Sequence, residues 1–81
     1  MVGEFEMAPG RSLRITLEDG HLQSEPTGSS KQPLVHVSGA TFAVGRVDGP
    51  ITLTFTLGAN GRATALVMRE SGNERTLNRV R

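Results

Sequence analysis

The sequence holds no cysteine, no tryptophan and no tyrosine, and only three phenylalanines. Without cysteine no disulfide braces the fold and no thiolate ligates a metal. So few aromatics offer no platform on which successive bases could stack. Charge of neither sign dominates. Nine Lys and Arg stand against eight Asp and Glu, a net of +1, and they are scattered. A nucleic-acid partner calls for a concentrated basic face, so none is expected. No apolar run approaches the roughly 20 residues of a helical membrane span, so no membrane span is expected either. The opening MVGEFEMAPG is acidic where a signal peptide is basic. The chain is therefore expected to stay in the cytoplasm or to have been cut from a longer protein.

What the sequence does hold is period-2 alternation. The clearest run is ITLTFTL, where Ile51, Leu53, Phe55 and Leu57 alternate with Thr52, Thr54 and Thr56. Asn60-Gly61 follows and predicts a tight hairpin turn with positive φ angles. Similar runs at 2–7, 12–18, 21–25, 33–37, 41–47, 62–68 and 74–80 bring the count to eight short strands, separated by Pro-Gly, Asp-Gly, Ser-Gly or Gly-Pro punctuation. Asp19-Gly20 between two alternating runs is a strong hairpin signal. Residues 26–32 (PTGSSKQ) are the most polar stretch and read as a loop. No segment carries a helical apolar stripe. With 36% hydrophobic residues the chain is too apolar for a disordered tail, and residues 1–81 form one domain.

Eight strands joined by short links pair consecutively and antiparallel. Closing the sheet removes its edges. The expected fold is all-β: a small eight-stranded antiparallel up-and-down barrel, or a strongly curled meander. Its predicted core is Phe5, Leu13, Ile15, Leu17, Leu22, Phe42, Val44, Leu53, Phe55, Leu57, Leu66 and Met68. Three points stay open. Residues 33–37 could turn either Leu34 and His36 or Val35 and Val37 inward. Ala63 is out of phase with Leu66 and Met68, which a bulge at 63–65 would reconcile. In the last strand Leu77 and Val80 are out of phase with each other.

Chemistry is sparse. His21 follows a turn and reads as exposed; His36 reads as a surface or hydrogen-bonded interior residue. Two unrelated histidines with scattered carboxylates make no ligand set, so no metal is expected. Glu4 and Glu6 read as a solvated strand face. Ser29-Ser30-Lys31 lacks the Ser-x-x-Lys spacing of a nucleophile and its base. Gly58 to Gly61 opens no helix that could receive a phosphate. Arg75, Arg79 and Arg81 read as a solvated terminal strand. No catalytic or cofactor-binding residue is expected, and no cofactor.

One resemblance spans essentially the whole chain. Val2-Gly3-Glu4-Phe5-Glu6-Met7-Ala8-Pro9-Gly10 and then Leu13 through Glu18-Asp19-Gly20-His21-Leu22 resemble the start of a C-terminal accessory domain. That domain follows the catalytic domain in many serine beta-lactamase-like and penicillin-binding-protein-like hydrolases and peptidases. Pro26-Thr27-Gly28, Leu34, Thr41-Phe42, Leu53-Thr54-Phe55, Asn60-Gly61, Leu66-Val67-Met68, Gly72 and Arg79-Val80 fit the same pattern in order. Met1 departs from it, standing where the family carries an aromatic, which reads as an excised domain or a small stand-alone relative. The resemblance implies a lipocalin-like barrel and no catalytic residues, since the Ser-x-x-Lys nucleophile belongs to the upstream domain. It implies that upstream catalytic domain as partner, in a periplasmic or extracytoplasmic parent, with an effect on substrate access or oligomer assembly. The alternative is a stand-alone barrel that binds a small apolar ligand. Self-association through Val35, Val37 or Val67 is a further expectation if a docking patch is left uncovered.

Overall fold

Alternating side chains make each short segment a strand with one apolar face, and that face must be covered. The computed structural model, which describes residues 2–81, shows how. The strands are β1 (Gly3–Ala8), β2 (Arg11–Glu18), β3 (His21–Pro26), β4 (Gln32–Ser38), β5 (Thr41–Val44), β6 (Ile51–Leu57), β7 (Ala63–Glu70) and β8 (Asn73–Asn78). All neighbours pair antiparallel in the order β1 through β8. A flat sheet of eight strands would be about 34 Å wide at the usual ~4.8 Å spacing. The described chain measures 28 × 27 × 27 Å, so the sheet has curled. β1 meets the residues that follow β8 at an isolated bridge Phe5↔Arg79, extended by Val80 N–H to Glu4 O (2.8 Å) and Glu4 N–H to Arg81 O (3.1 Å). The result is a nearly closed up-and-down barrel.

Two joints are thin. One is this β1–β8 closure. The other is β3–β4, where only Gln23↔Pro33 and Ser24↔Gln32 pair, and Pro33 has no N–H to give. On its other side Pro33 accepts from Gly45 N–H (2.8 Å), which extends the β4–β5 ladder and not the β3–β4 joint. The barrel is thus two curled sheets, β1–β3 and β4–β8, held edge to edge at two places.

The turns follow local chemistry. Asp19-Gly20 (φ 53° and 80°) and Ser71-Gly72 (φ 50° and 83°) carry the paired positive φ angles of a two-residue hairpin turn. The β6–β7 connection does not. Only Gly61 is positive (φ 78°), and a longer loop closes by Gly58 N–H to Arg62 O (2.7 Å) and Gly61 N–H to Gly58 O (3.0 Å). The expected tight Asn60-Gly61 turn is therefore corrected. Asn60 instead caps the loop, accepting from Arg62 N–H through Oδ1 (3.0 Å). β5 ends at Val44, short of the expected residue 47, because Gly45 takes φ 84° and turns the chain.

The interior is filled by Phe5, Leu13, Ile15, Leu34, Leu53, Phe55, Ala63, Leu66 and Leu77. Met7, Leu22, Phe42, Val44, Ile51 and Met68 pack against them, half-buried. All three phenylalanines join in one edge-to-face stack: Phe5 to Phe55 at 6.0 Å and Phe55 to Phe42 at 5.8 Å between ring centroids. Two expected core residues are not buried. Leu17 is 60% exposed and Leu57 46%. Each keeps the inward phase of its strand, but each stands at a strand end, opposite Leu22 and Ala63, where the barrel has stopped. Facing the axis is not the same as being covered.

The open phases close as follows. In β4, Leu34 is buried and His36 shares its phase, at the rim against Phe42 (5.2 Å). The register of β6–β7 shifts between Thr56↔Ala65 and Leu57↔Ala63, which leaves Thr64 as the extra residue of a bulge and carries Ala63 inward. In β8 Leu77 is buried and Val80 exposed. Ala43 is buried on the outer face instead, between Val35 and Thr52.

Phe5→Ala should cost about 3–5 kcal/mol, and Leu17→Ser less than about 0.5 kcal/mol. A domain of this size has only about 4–12 kcal/mol in all. Urea unfolding of the two variants separates them, and equal losses would refute this division of the core. A Cβ at Gly3 would lie 2.7 Å from the Arg79 guanidinium and from Arg81 O. Gly3→Ala should therefore lower stability by about 1–3 kcal/mol by pushing the closure apart. The same urea midpoints check it, and an unchanged midpoint would mean that the C-terminal arm simply moves aside.

Candidate functional site

The charged residues that drew notice in the sequence are spread over the barrel and engaged with its framework. Glu4 is a hub and not merely a solvated side chain. Its carboxylate accepts from Ser12 Oγ (3.3 Å) and Arg14 Nη2 (3.3 Å), and Arg81 Nη1 stands 3.7 Å away. The three C-terminal arginines all reach across the closure. Arg75 donates to Met7 O. Arg79 donates to Ala63 O (2.9 Å) and lies over the Phe5 ring at 5.8 Å, a cation–π contact. Arg81 turns to Glu4. The solvated terminal strand expected there is thus a set of ties that hold β8 to β1 and β7.

Neither histidine meets a nucleophile. His21 pairs with Glu18 across the β2–β3 ladder and is exposed. His36 is exposed, with Nε2 2.9 Å from Gly39 O. Ser29 and Ser30 lie in the β3–β4 loop, where Ser29 N–H donates to Pro26 O (2.9 Å). Lys31, beside them, turns away to Glu18, which Thr16 also hydrogen-bonds. That bond from Lys31 is the main cause that holds the Glu18 carboxyl below its ordinary range, and the same bond raises Lys31 above its own. Among the described residues no group of three or more His, Asp or Glu side chains could hold a metal ion.

An open depression of about 410 Å³ lies at one end of the barrel, between the β6–β7 loop and the C-terminal arm. Asn60, Arg62, Ala63, Thr64, Arg79, Val80 and Arg81 line it. Two smaller depressions, of about 280 and 180 Å³, lie on the outer wall beside Arg11 and Glu4, and beside Arg14 and Glu25. The large one holds three guanidinium groups, an amide and a hydroxyl, with no carboxylate side chain in its lining. Such a set attracts anions, but arginine stays protonated and offers no base. Arg62 was not singled out by sequence reading. It stands alone in a loop, and only the β6–β7 register and the barrel closure bring it beside Arg79 and Arg81.

Fold and surface together define a small up-and-down β-barrel with a packed interior and arginine-tied closure. The chain matches the family described as "Domain of unknown function (DUF3471)" over residues 1–79, and belongs to it. No curated protein and no solved structure matches the chain.

The Glu18–Lys31 pair gives a pH test. A depressed carboxyl adds stability above its unfolded value, near about 4.3, and loses it as pH falls through the lower folded value. The raised Lys31 adds stability below about 10.4 and loses it as pH rises through its higher folded value. In an NMR titration, Glu18 should titrate below an ordinary glutamate, and Lys31→Met should return it to the ordinary range. The same midpoint in both proteins would remove the pair from the account.

Proposed function

We propose that this domain is a non-catalytic accessory module that packs against a serine beta-lactamase-like catalytic domain and affects substrate access or oligomer assembly. The observation that carries this reading is a barrel filled by its own side chains: Phe5, Ile15, Leu53, Leu66 and Leu77 are each less than 2% exposed. The residues with chemical potential are engaged with the framework. Glu4 braces the closure, Lys31 is held by Glu18, and His36 rests on Phe42. Ser12 and Thr16 meet only the Glu4 and Glu18 carboxylates, which Arg14 and Lys31 also hold, and among the described residues no hydroxyl hydrogen-bonds a histidine or lysine that could serve as base for hydrolysis of an acyl bond. The resemblance to domains that follow Ser-x-x-Lys hydrolases supplies the partner. The packed interior speaks against the alternative, a barrel that holds a small apolar ligand.

The purified chain should hydrolyse neither a chromogenic cephalosporin nor a p-nitrophenyl ester above the buffer rate. Deletion of the domain from a serine hydrolase that carries it should leave acylation of the nucleophilic serine intact while changing KM or the oligomeric state. Turnover by the isolated chain, or a deletion that changes neither property, would defeat the proposal.

A further inference from the structure

Successive strands run in opposite directions, so every second connection lies at the same end of the barrel. One end gathers the start of β1, the β2–β3, β4–β5 and β6–β7 connections, and residues 79–81 after β8. Six large apolar side chains are well exposed among the described residues, and five of them, Val2, Leu17, Val37, Leu57 and Val80, belong to this end. Leu17, Val37 and Leu57 stand near the ends of β2, β4 and β6, and Val2 and Val80 flank β1 and β8, so together they ring the rim. Val47, the sixth, lies at the other end.

The arginine-lined depression opens at the same rim. Val80 lines it, Leu57 pairs with Ala63 next to it, and Val2 adjoins Gly3, which sits against Arg79 and Arg81. Its charge is under-compensated. Arg14, Arg46 and Arg69 have carboxylate partners within 3.3 Å, whereas Arg62 and Arg79 have none within 4.0 Å among the described residues, and Arg81 has only Glu4 at 3.7 Å. Arg62 is also held in place. Its N–H donates to Asn60 Oδ1 and its carbonyl accepts from Gly58 N–H, so the loop fixes the backbone from which the guanidinium extends.

Exposed apolar groups beside uncompensated cations fit a surface of matching character. We propose that this rim is a docking face for a partner protein surface that presents apolar side chains around a carboxylate, and that the carboxylate enters the notch between Arg62 and Arg79. This deepens the accessory-domain reading and rests on it for the identity of the partner. A second copy of the chain is the less suitable occupant, because it would bring a second set of unpaired arginines to the same rim.

The test uses the isotope-labelled 81-residue chain and two synthetic peptides, acetyl-Leu-Glu-Leu-amide and its Glu-to-Lys counterpart. With the acidic peptide, saturable NMR shift changes should centre on the amides of Leu57, Arg62, Thr64 and Val80. Affinity should fall about five-fold in Arg62→Gln, and again between about 50 and 300 mM salt, as a partly screened charge contact requires. Leu57→Ser should also weaken binding while leaving the salt dependence in place. Absent or scattered shifts, equal binding of the lysine peptide, or an unchanged affinity in Arg62→Gln would overturn the proposal. Concentration-dependent shifts at the same amides without peptide would assign the rim to self-association and overturn it too. No catalytic domain is present in this assay. Failure here alongside a functional effect of domain deletion would therefore sink the docking face alone. Peptide binding with no effect of deletion would sink the accessory role alone.

Discussion

Closure at Phe5 is the constraint on which the rest of this barrel depends. Eight short strands offer one apolar face, and that face leaves water only if the first strand meets the last. Few backbone bonds make that meeting: one bridge at Phe5↔Arg79, with Glu4 joined to Val80 and Arg81. Side chains supply what the ladder lacks. Phe5 is fully buried and packs edge-on to Phe55 of the far sheet, which in turn meets Phe42 on the neighbouring strand. The aromatic stack therefore spans the barrel and joins the two sheets through their interior.

The arginines complete the closure from outside. Arg79 covers Phe5 and binds the carbonyl of Ala63, and Arg75 reaches the carbonyl of Met7. Guanidinium groups suit this task because their several donors can satisfy strand-end carbonyls that no ladder reaches. Gly3 leaves room for them. The same arrangement leaves Arg79, and Arg62 beside it, without a carboxylate within 4.0 Å among the described residues. A structural device for closing a small barrel thus also creates the most distinctive surface on it. An interior filled by side chains and a distinctive exterior rim are what a module that acts through contact, and not through a cavity, would need.

The fold class was legible because strand periodicity and turn chemistry are local. Asp19-Gly20 adopts the two-residue turn expected of it, and the phase break at Ala63 becomes a bulge at Thr64. Asn60-Gly61 shows where local reading stops. The same dipeptide can close a two-residue turn or sit inside a longer loop, and the bulge next to it decides between them. The inward phase of Leu17 and Leu57 was likewise readable, but their exposure was not, because burial depends on where the neighbouring strands end.

Strands, most of their inward faces and the lack of an obvious catalytic spacing can be read from the chain, since these depend on residues a few positions apart. Three other features come from the folded barrel. It placed Leu34 and Leu77 in the core where the pattern was ambiguous. It turned the C-terminal arginines into closure ties. It also set Arg62 beside Arg79 and Arg81, at the rim where five apolar side chains stay uncovered. Each of these depends on a contact between segments far apart in the chain, and curling the sheet is what creates such contacts.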